Sequence, residues 1–207
     1  MLALQPSLLD LTGASLQGLA DEGLEHLELA GGAWVEMRRG WVAGGDVLPA
    51  LAETVPWRAE RRPMYDRVVD VPRLLAFYGE GDPLPHPALD AVRAALDDRY
   101  QPVLGERLVT AGLCLYRDGR DSVAWHGDTI GRGSREDTIV AIVSLGATRR
   151  LALRPATGGP SLPFDLAHGD LLVMGGSCQR TWQHAVPKTA RPVGPRISVQ
   201  FRARGVR

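Results

Sequence analysis

The chain has 207 residues, 44% of them hydrophobic and 23% charged, and its 24 basic residues balance 24 acidic ones. That suits one folded unit with a real core. No apolar run approaches the ~20 residues of a membrane-crossing helix, and the opening MLALQPSLLDLTGASL lacks the basic start and long apolar stretch of a secretory signal. A cytoplasmic monomer with no membrane partner is expected. Cys114 and Cys178 are too few for a disulfide framework or a thiolate cluster and read as buried thiols. The zero net charge hides an asymmetry, because no acidic residue follows Asp170 while Arg180, Lys188, Arg191, Arg196, Arg202, Arg204 and Arg207 do. A cationic terminus of this kind suits an anionic partner, either nucleic acid or a small polycarboxylate, or is a solvated face.

Residues 1–32 are weakly patterned and glycine-rich, with a short helix expected around 15–22. Residues 1–50 read as an extension packed on the core or leading into it. AWVEMRRGWV (33–42) alternates like a strand broken at Gly40. DVLPALAETVPW (46–57) opens on the capping residue Asp46 and stops at Pro56, as a short helix does. The arginine-rich stretch 57–79, with interleaved aromatics, reads as short strands and loops. In HPALDAVRAALDDRY (86–100), Leu89, Val92, Ala95 and Leu96 make one apolar stripe and Pro87 suits a first turn, so a helix is predicted. From residue 108 the texture changes to eight short β runs separated by Gly, Asp and Pro, the pattern of a sandwich, barrel or jelly roll.

The chemistry centres on a triplet that occurs twice, His126-Gly127-Asp128 and His168-Gly169-Asp170. On a strand, residues i and i+2 share a face, so His126 and Asp128 can grip one cation from one side. A third ligand from another strand, with His184 in TWQHAVP the attractive candidate, would complete the two-His, one-carboxylate set of non-haem Fe(II) oxygenases. The second triplet looks like a strand-turn-strand segment, but spacing alone does not choose between the copies. In RISVQFR (196–202), Arg196, Ser198, Gln200 and Arg202 fall on one face, opposite Ile197, Val199 and Phe201. Guanidinium groups on that face are costly if buried without anions, and a dicarboxylate would answer both, the arginines leaning together over ~20 Å of strand to share it.

Taken together, LYRDGRDSVAWHGD (115–128), IVAIVSLG (139–146), LAHGDLLVMGG (166–176), TWQHAVP (181–187) and PRISVQFR (195–202) resemble the AlkB family of 2-oxoglutarate- and Fe(II)-dependent dioxygenases over about residues 57–205. They look most like the bacterial members related to the human DNA-repair homologues. The resemblance implies an α+β protein. Its core, about 108–204, would be a double-stranded β-helix, or jelly roll, with supporting helices. An N-terminal nucleotide-recognition lid would span about 57–82, within a dioxygenase domain of 51–207. It implies that His126, Asp128 and His184 hold Fe(II), that Arg196 and Tyr116 bind the distal carboxylate of 2-oxoglutarate with Ser198 beside them, and that Arg202 lies near the metal end. His168–Asp170 would then be structural. Tyr78 is the implied substrate-side residue, with Arg61, Arg62 and Tyr65 behind it. The implied reaction uses O2 and 2-oxoglutarate to remove alkyl groups from bases in DNA or RNA. The same chemistry on a protein side chain or small metabolite, or an inactive nucleic-acid binding module, are the alternatives. Three departures stand out. Cys114 and Ser198 replace two asparagines common in the family. Thr129 and Ile130 stand where relatives place an acidic residue against the damaged base.

Overall fold

The apolar run at 139–145 becomes the middle of a large antiparallel sheet, where strand β9 (Val140–Gly146) is almost wholly buried. A computed structural model describes residues 15–16, 19, 21–64 and 67–206. In it β9 is flanked by β12 (Leu171–Gly176) and by β14 (Arg196–Ala203), and beyond β14 lies β7 (Leu108–Tyr116). Past β12 comes β3 (Ala33–Arg38) and then β2 (Leu24–Glu28). Past β7 come β6 (Arg67–Tyr78) and β5 (Arg58–Met64), giving eight strands in the order β2-β3-β12-β9-β14-β7-β6-β5. A second sheet has the order β11-β10-β13-β8, from Leu162–Leu166, Arg149–Pro155, Trp182–Val186 and Val123–His126. A small pair joins β1 (Ser15–Leu16) to β4 (Val42–Ala43).

Between β7 and β14 the chain passes back and forth between the two sheets. Strands β7, β9, β12 and β14 lie in the large one and β8, β10, β11 and β13 in the small one. This is the double-stranded β-helix, and all eight β runs read from the sequence are its strands. The inner and outer faces of β14 differ as its alternation requires. Ile197, Val199 and Phe201 are completely buried in the main core. That core also takes Leu51 from α1 (Val47–Thr54) and Leu89, Val92 and Leu96 from α2 (Pro87–Leu104). Asp46 does occupy the N-cap of α1, without a side-chain cap bond, whereas His86 caps α2 by accepting from the Ala88 N–H at 3.1 Å. No helix among the described residues is long and apolar enough to cross a membrane.

Two expectations need correcting. Residues 57–79 form one long hairpin, β5 against β6, rather than short strands and loops. Its two strands continue the large sheet as an edge, so pairing with β7, which the local sequence does not advertise, decides their length. The helix expected around 15–22 is not seen among the described residues, where Ser15 and Leu16 are in a strand. Residues 24–38 are two strands that extend the large sheet beyond β12.

Candidate active site

β8 and β13 are neighbours, and their register sets His126 opposite His184. The imidazole centroids are 4.2 Å apart with a 49° tilt. Asp128, two residues past His126, joins them, and one ligand atom from each of the three lies within 4.8 Å of the others. Nδ1 of His126 is 2.9 Å from the Ala124 carbonyl. Donation there leaves Nε2, 3.8 Å from Asp128 Oδ1, with its lone pair toward the common point. His184 is buried, and burial together with neighbouring His126 pushes its pKa down to about 3. Burial alone would raise the Asp128 carboxyl, but Arg202 and the two imidazoles outweigh it and hold it at about 2. Near neutral pH Asp128 is therefore a carboxylate and His184 a neutral imidazole, the forms in which each can bind a metal ion.

The two glycine-centred triplets diverge for steric reasons. A Cβ on Gly127 would come 2.4 Å from the Gln179 carbonyl, so the short segment between the two ligands fits only because the side chain is missing. Gly169 sits at φ 78° in a tight turn, where a Cβ would meet the Val42 carbonyl at 2.1 Å. Asp170 accepts from the Gly40 and Ala167 N–H groups and from Arg39, at 2.7 to 2.9 Å. His168 accepts from the Gly146 N–H at 3.1 Å and donates to the Gly44 carbonyl. The second copy is a structural turn.

A cavity of about 660 Å³ opens between the sheets, with His126, Asp128 and His184 in its wall. The inner face of the large sheet lines it in rows. Arg202 stands opposite Thr110, Gln200 opposite Gly112, Ser198 opposite Cys114 and Arg196 opposite Tyr116. Arg202 donates through Nε to Asp128 Oδ2 at 2.7 Å, so it serves the metal end. The Gln200 amide donates to the Ser198 hydroxyl at 2.9 Å, and Cys114 Sγ lies 3.5 Å away. Arg196 lies at the far end, 1% exposed, behind the ring of Tyr116, which lines the cavity. Its Nε donates to Ser144 Oγ at 2.9 Å, but Nη1 and Nη2 are buried without a hydrogen-bond partner. The two arginines of RISVQFR therefore do not lean together as the strand pattern suggested. Each serves its own end of the cavity.

The donor set fits the implied groups. Two imidazole nitrogens and one carboxylate oxygen gathered on one side suit ferrous iron. An enclosed guanidinium with two idle nitrogens suits a carboxylate, since a buried charge left alone is costly. Both cysteines are free and buried, and burial pushes the Cys178 thiol up to about 12, in line with an inert role.

The substrate-side residues fare differently. Tyr78 reaches the cavity but packs against the main core, while its neighbour Phe77 is 53% exposed at the cavity wall. Arg61 is exposed on β5 and does not line the cavity, Arg62 is placed by its backbone opposite Val69, and Tyr65 lies outside the described residues. Arg58, Glu60 and Arg73 line it instead. Arg73 was missed, although it opens the same RLLAFYG run. Its Nη1 donates to the Ser122 carbonyl at 3.3 Å and its Nε is buried with no hydrogen-bond partner. The one available signal was parity, which puts Arg73, Leu75 and Phe77 on a single face.

Comparison with known proteins agrees with this geometry. The model of the 2OG-Fe(II) oxygenase superfamily matches residues 50–202. The chain is 31% identical to the human alpha-ketoglutarate-dependent dioxygenase alkB homolog 3 over 221 residues, spanning 96% of this chain and 73% of the relative. It is 34% identical to DNA oxidative demethylase ALKBH2 of Arabidopsis thaliana over 136 residues, spanning 54% and 42%. Among solved structures, that of OsALKBH1 superposes with a TM-score of 0.59 at 14% identity, covering 86% of this chain and all of that one, a likeness of fold. The chain belongs to the AlkB family of the 2-oxoglutarate- and Fe(II)-dependent dioxygenases, enzymes that work with Fe(II), 2-oxoglutarate and O2.

Proposed function

We propose that this enzyme oxidatively removes alkyl groups from bases of DNA or RNA. The observation that carries the reading is a single cavity holding His126, Asp128 and His184 at one end and the unsatisfied Arg196 guanidinium beyond the other. The three ligands would hold iron. Arg196 would take the distal carboxylate of 2-oxoglutarate, with Tyr116 covering it and Ser198 and Gln200 along its length. Arg202 keeps Asp128 ionised and aimed. When bound, iron and 2-oxoglutarate use O2 to hydroxylate a carbon attached to nitrogen, 2-oxoglutarate leaving as succinate and CO2. The hydroxylated group then departs as an aldehyde, the C–N electron pair staying on the nitrogen while the hydroxyl proton passes to that nitrogen or, from a cationic base, to water. The protein's own share is to position, to exclude water and to keep Asp128 and His184 deprotonated.

A base must leave its stack to reach this cavity, at a cost of a few kcal/mol that is least in single strands or at damaged sites. The β5–β6 hairpin borders the opening with Arg58, Arg73 and Phe77, two cations for phosphate or base and one aromatic for stacking. The DNA oxidative demethylase named above is a relative whose activity supports a nucleic-acid substrate. The test is mass spectrometry of methylated and etheno-modified oligonucleotides after incubation with iron, 2-oxoglutarate and ascorbate. Asp128→Ala should be folded and inactive. Asp170→Ala, which loses three hydrogen bonds in a buried turn, should lose folded protein by several kcal/mol. Succinate release that ignores every oligonucleotide would sink the reading.

A further inference from the structure

The exposed large apolar side chains of the described residues are few, and two of them, Phe77 and Ile130, line this cavity. Ile130 comes two residues after Asp128 and is 68% exposed, so it stands beside the metal ligands on the open side. Val140 and Val206 line the cavity as well.

The charges are arranged differently. Among the described residues that line the cavity, the carboxylates are Asp128 and Glu60. Asp128 belongs to the metal set and is bound by Arg202. Glu60 shares its wall with Arg58 on its own strand and Arg73 on the next. The pairing of β5 with β6 shifts register between Ala59 and Arg61, so Glu60 sits at that irregularity, two residues from Arg58. An entering base thus meets two guanidinium groups against one carboxylate on the hairpin wall, and the apolar side chain of Ile130 beside the metal ligands. A cation loses hydration there and meets a wall of net positive charge, whereas a neutral base with an added hydrocarbon group loses less hydration and covers Phe77 and Ile130.

We propose that the site favours electrically neutral adducts with apolar bulk, such as the etheno ring of 1,N6-ethenoadenine, over positively charged bases such as 1-methyladenine. The proposal rests on the dealkylation reading and narrows it to a lesion class. It also gives the missing acid at 129–130 a consequence, because no described residue beside the metal replaces it.

The experiment uses two single-stranded oligonucleotides that differ only in the lesion. Competitive turnover is read by mass spectrometry. Equilibrium binding to the Mn(II)·2-oxoglutarate enzyme is read by fluorescence anisotropy. The wild type should prefer 1,N6-ethenoadenine in both measurements. Ile130→Glu places a carboxylate at the exposed position and should swing both ratios about tenfold toward 1-methyladenine. A melting curve like that of the wild type shows that the variant is folded. Preference of the wild type for 1-methyladenine, or ratios unmoved by Ile130→Glu, overturns the proposal and leaves dealkylation standing. Turnover and binding of neither lesion overturns dealkylation and the proposal together.

Discussion

At the scale of single residues, Arg196 is the clearest case of a group whose cost in the free protein makes sense only through its ligand. A completely buried guanidinium with two idle nitrogens weakens the fold, and burial pushes its pKa down from the usual arginine range. Arg196→Met should therefore melt several degrees higher than the wild type in the absence of ligand, given roughly 2–4 °C per kcal/mol for a chain of this size. It should also lose the rise that saturating 2-oxoglutarate with Mn(II) gives the wild type, about 2.7 kcal/mol at a hundredfold excess over Kd. Scanning calorimetry reads both effects, and a variant still stabilised by 2-oxoglutarate would remove Arg196 from the pocket. This residue was legible from RISVQFR because alternation put its charge opposite a fully apolar face. Phe77 was not, since the aromatic pair Phe77–Tyr78 has no alternation of its own and only pairing with Gly112 and Ala111 fixes which ring faces inward. Arg73 was hidden for a related reason, its neighbours Leu74 and Leu75 being apolar on both faces.

Among the elements, the strands of the β-helix were readable because buried apolar runs end at Gly, Asp and Pro turns. Strand β3 was readable too, from the alternation of AWVEMRRGWV, but β2 was not, because it carries little burial and is held by backbone pairing with β3 and by a side-chain tie to it. His26 on β2 sits 3.0 Å from both Glu28 and Glu36, and Glu36 accepts from the Tyr100 hydroxyl of α2 at 2.7 Å. The bonds to Glu28 and then Glu36 raise the His26 pKa above its usual 6.5. A raised pKa means that the native state holds the proton more tightly. The stabilisation is complete below pH 6.5 and fades as pH climbs through the folded value. Half-exposed pairs of this kind contribute ~0.2–1 kcal/mol after screening. His26→Gln should thus lower the melting temperature more at pH 6 than at pH 9, and an equal loss at both would show that the ion pairs contribute nothing. The length of the β5–β6 hairpin, read only as short strands and loops, escaped for a different reason. RAERR is too polar to look like a strand, and an edge position is what permits it.

For the whole molecule, the balanced charge conceals a division between the two ends of the large sheet. One edge strand and its lead-in carry Asp21, Glu22, Glu25 and Glu28, and the other edge carries Arg58, Arg61 and Arg62. A polyanion is drawn to the second edge, beside the cavity opening. Lys188 is the single lysine among the 24 basic residues, so this attraction is almost entirely a matter of guanidinium forks. Acetylating the amines should leave oligonucleotide affinity within about twofold, whereas an arginine-directed dicarbonyl should weaken it by at least tenfold. A filter-binding titration decides, and sensitivity to acetylation would move the nucleic-acid surface toward Lys188. The metal set has a reach of its own at this scale. His126 and His184 ride on the small sheet, while Asp128 is gripped by a side chain of the large one. An ion seated among them rivets two layers that no disulfide joins. Iron supply therefore governs how firmly the sandwich is clamped shut, as well as how fast the enzyme works.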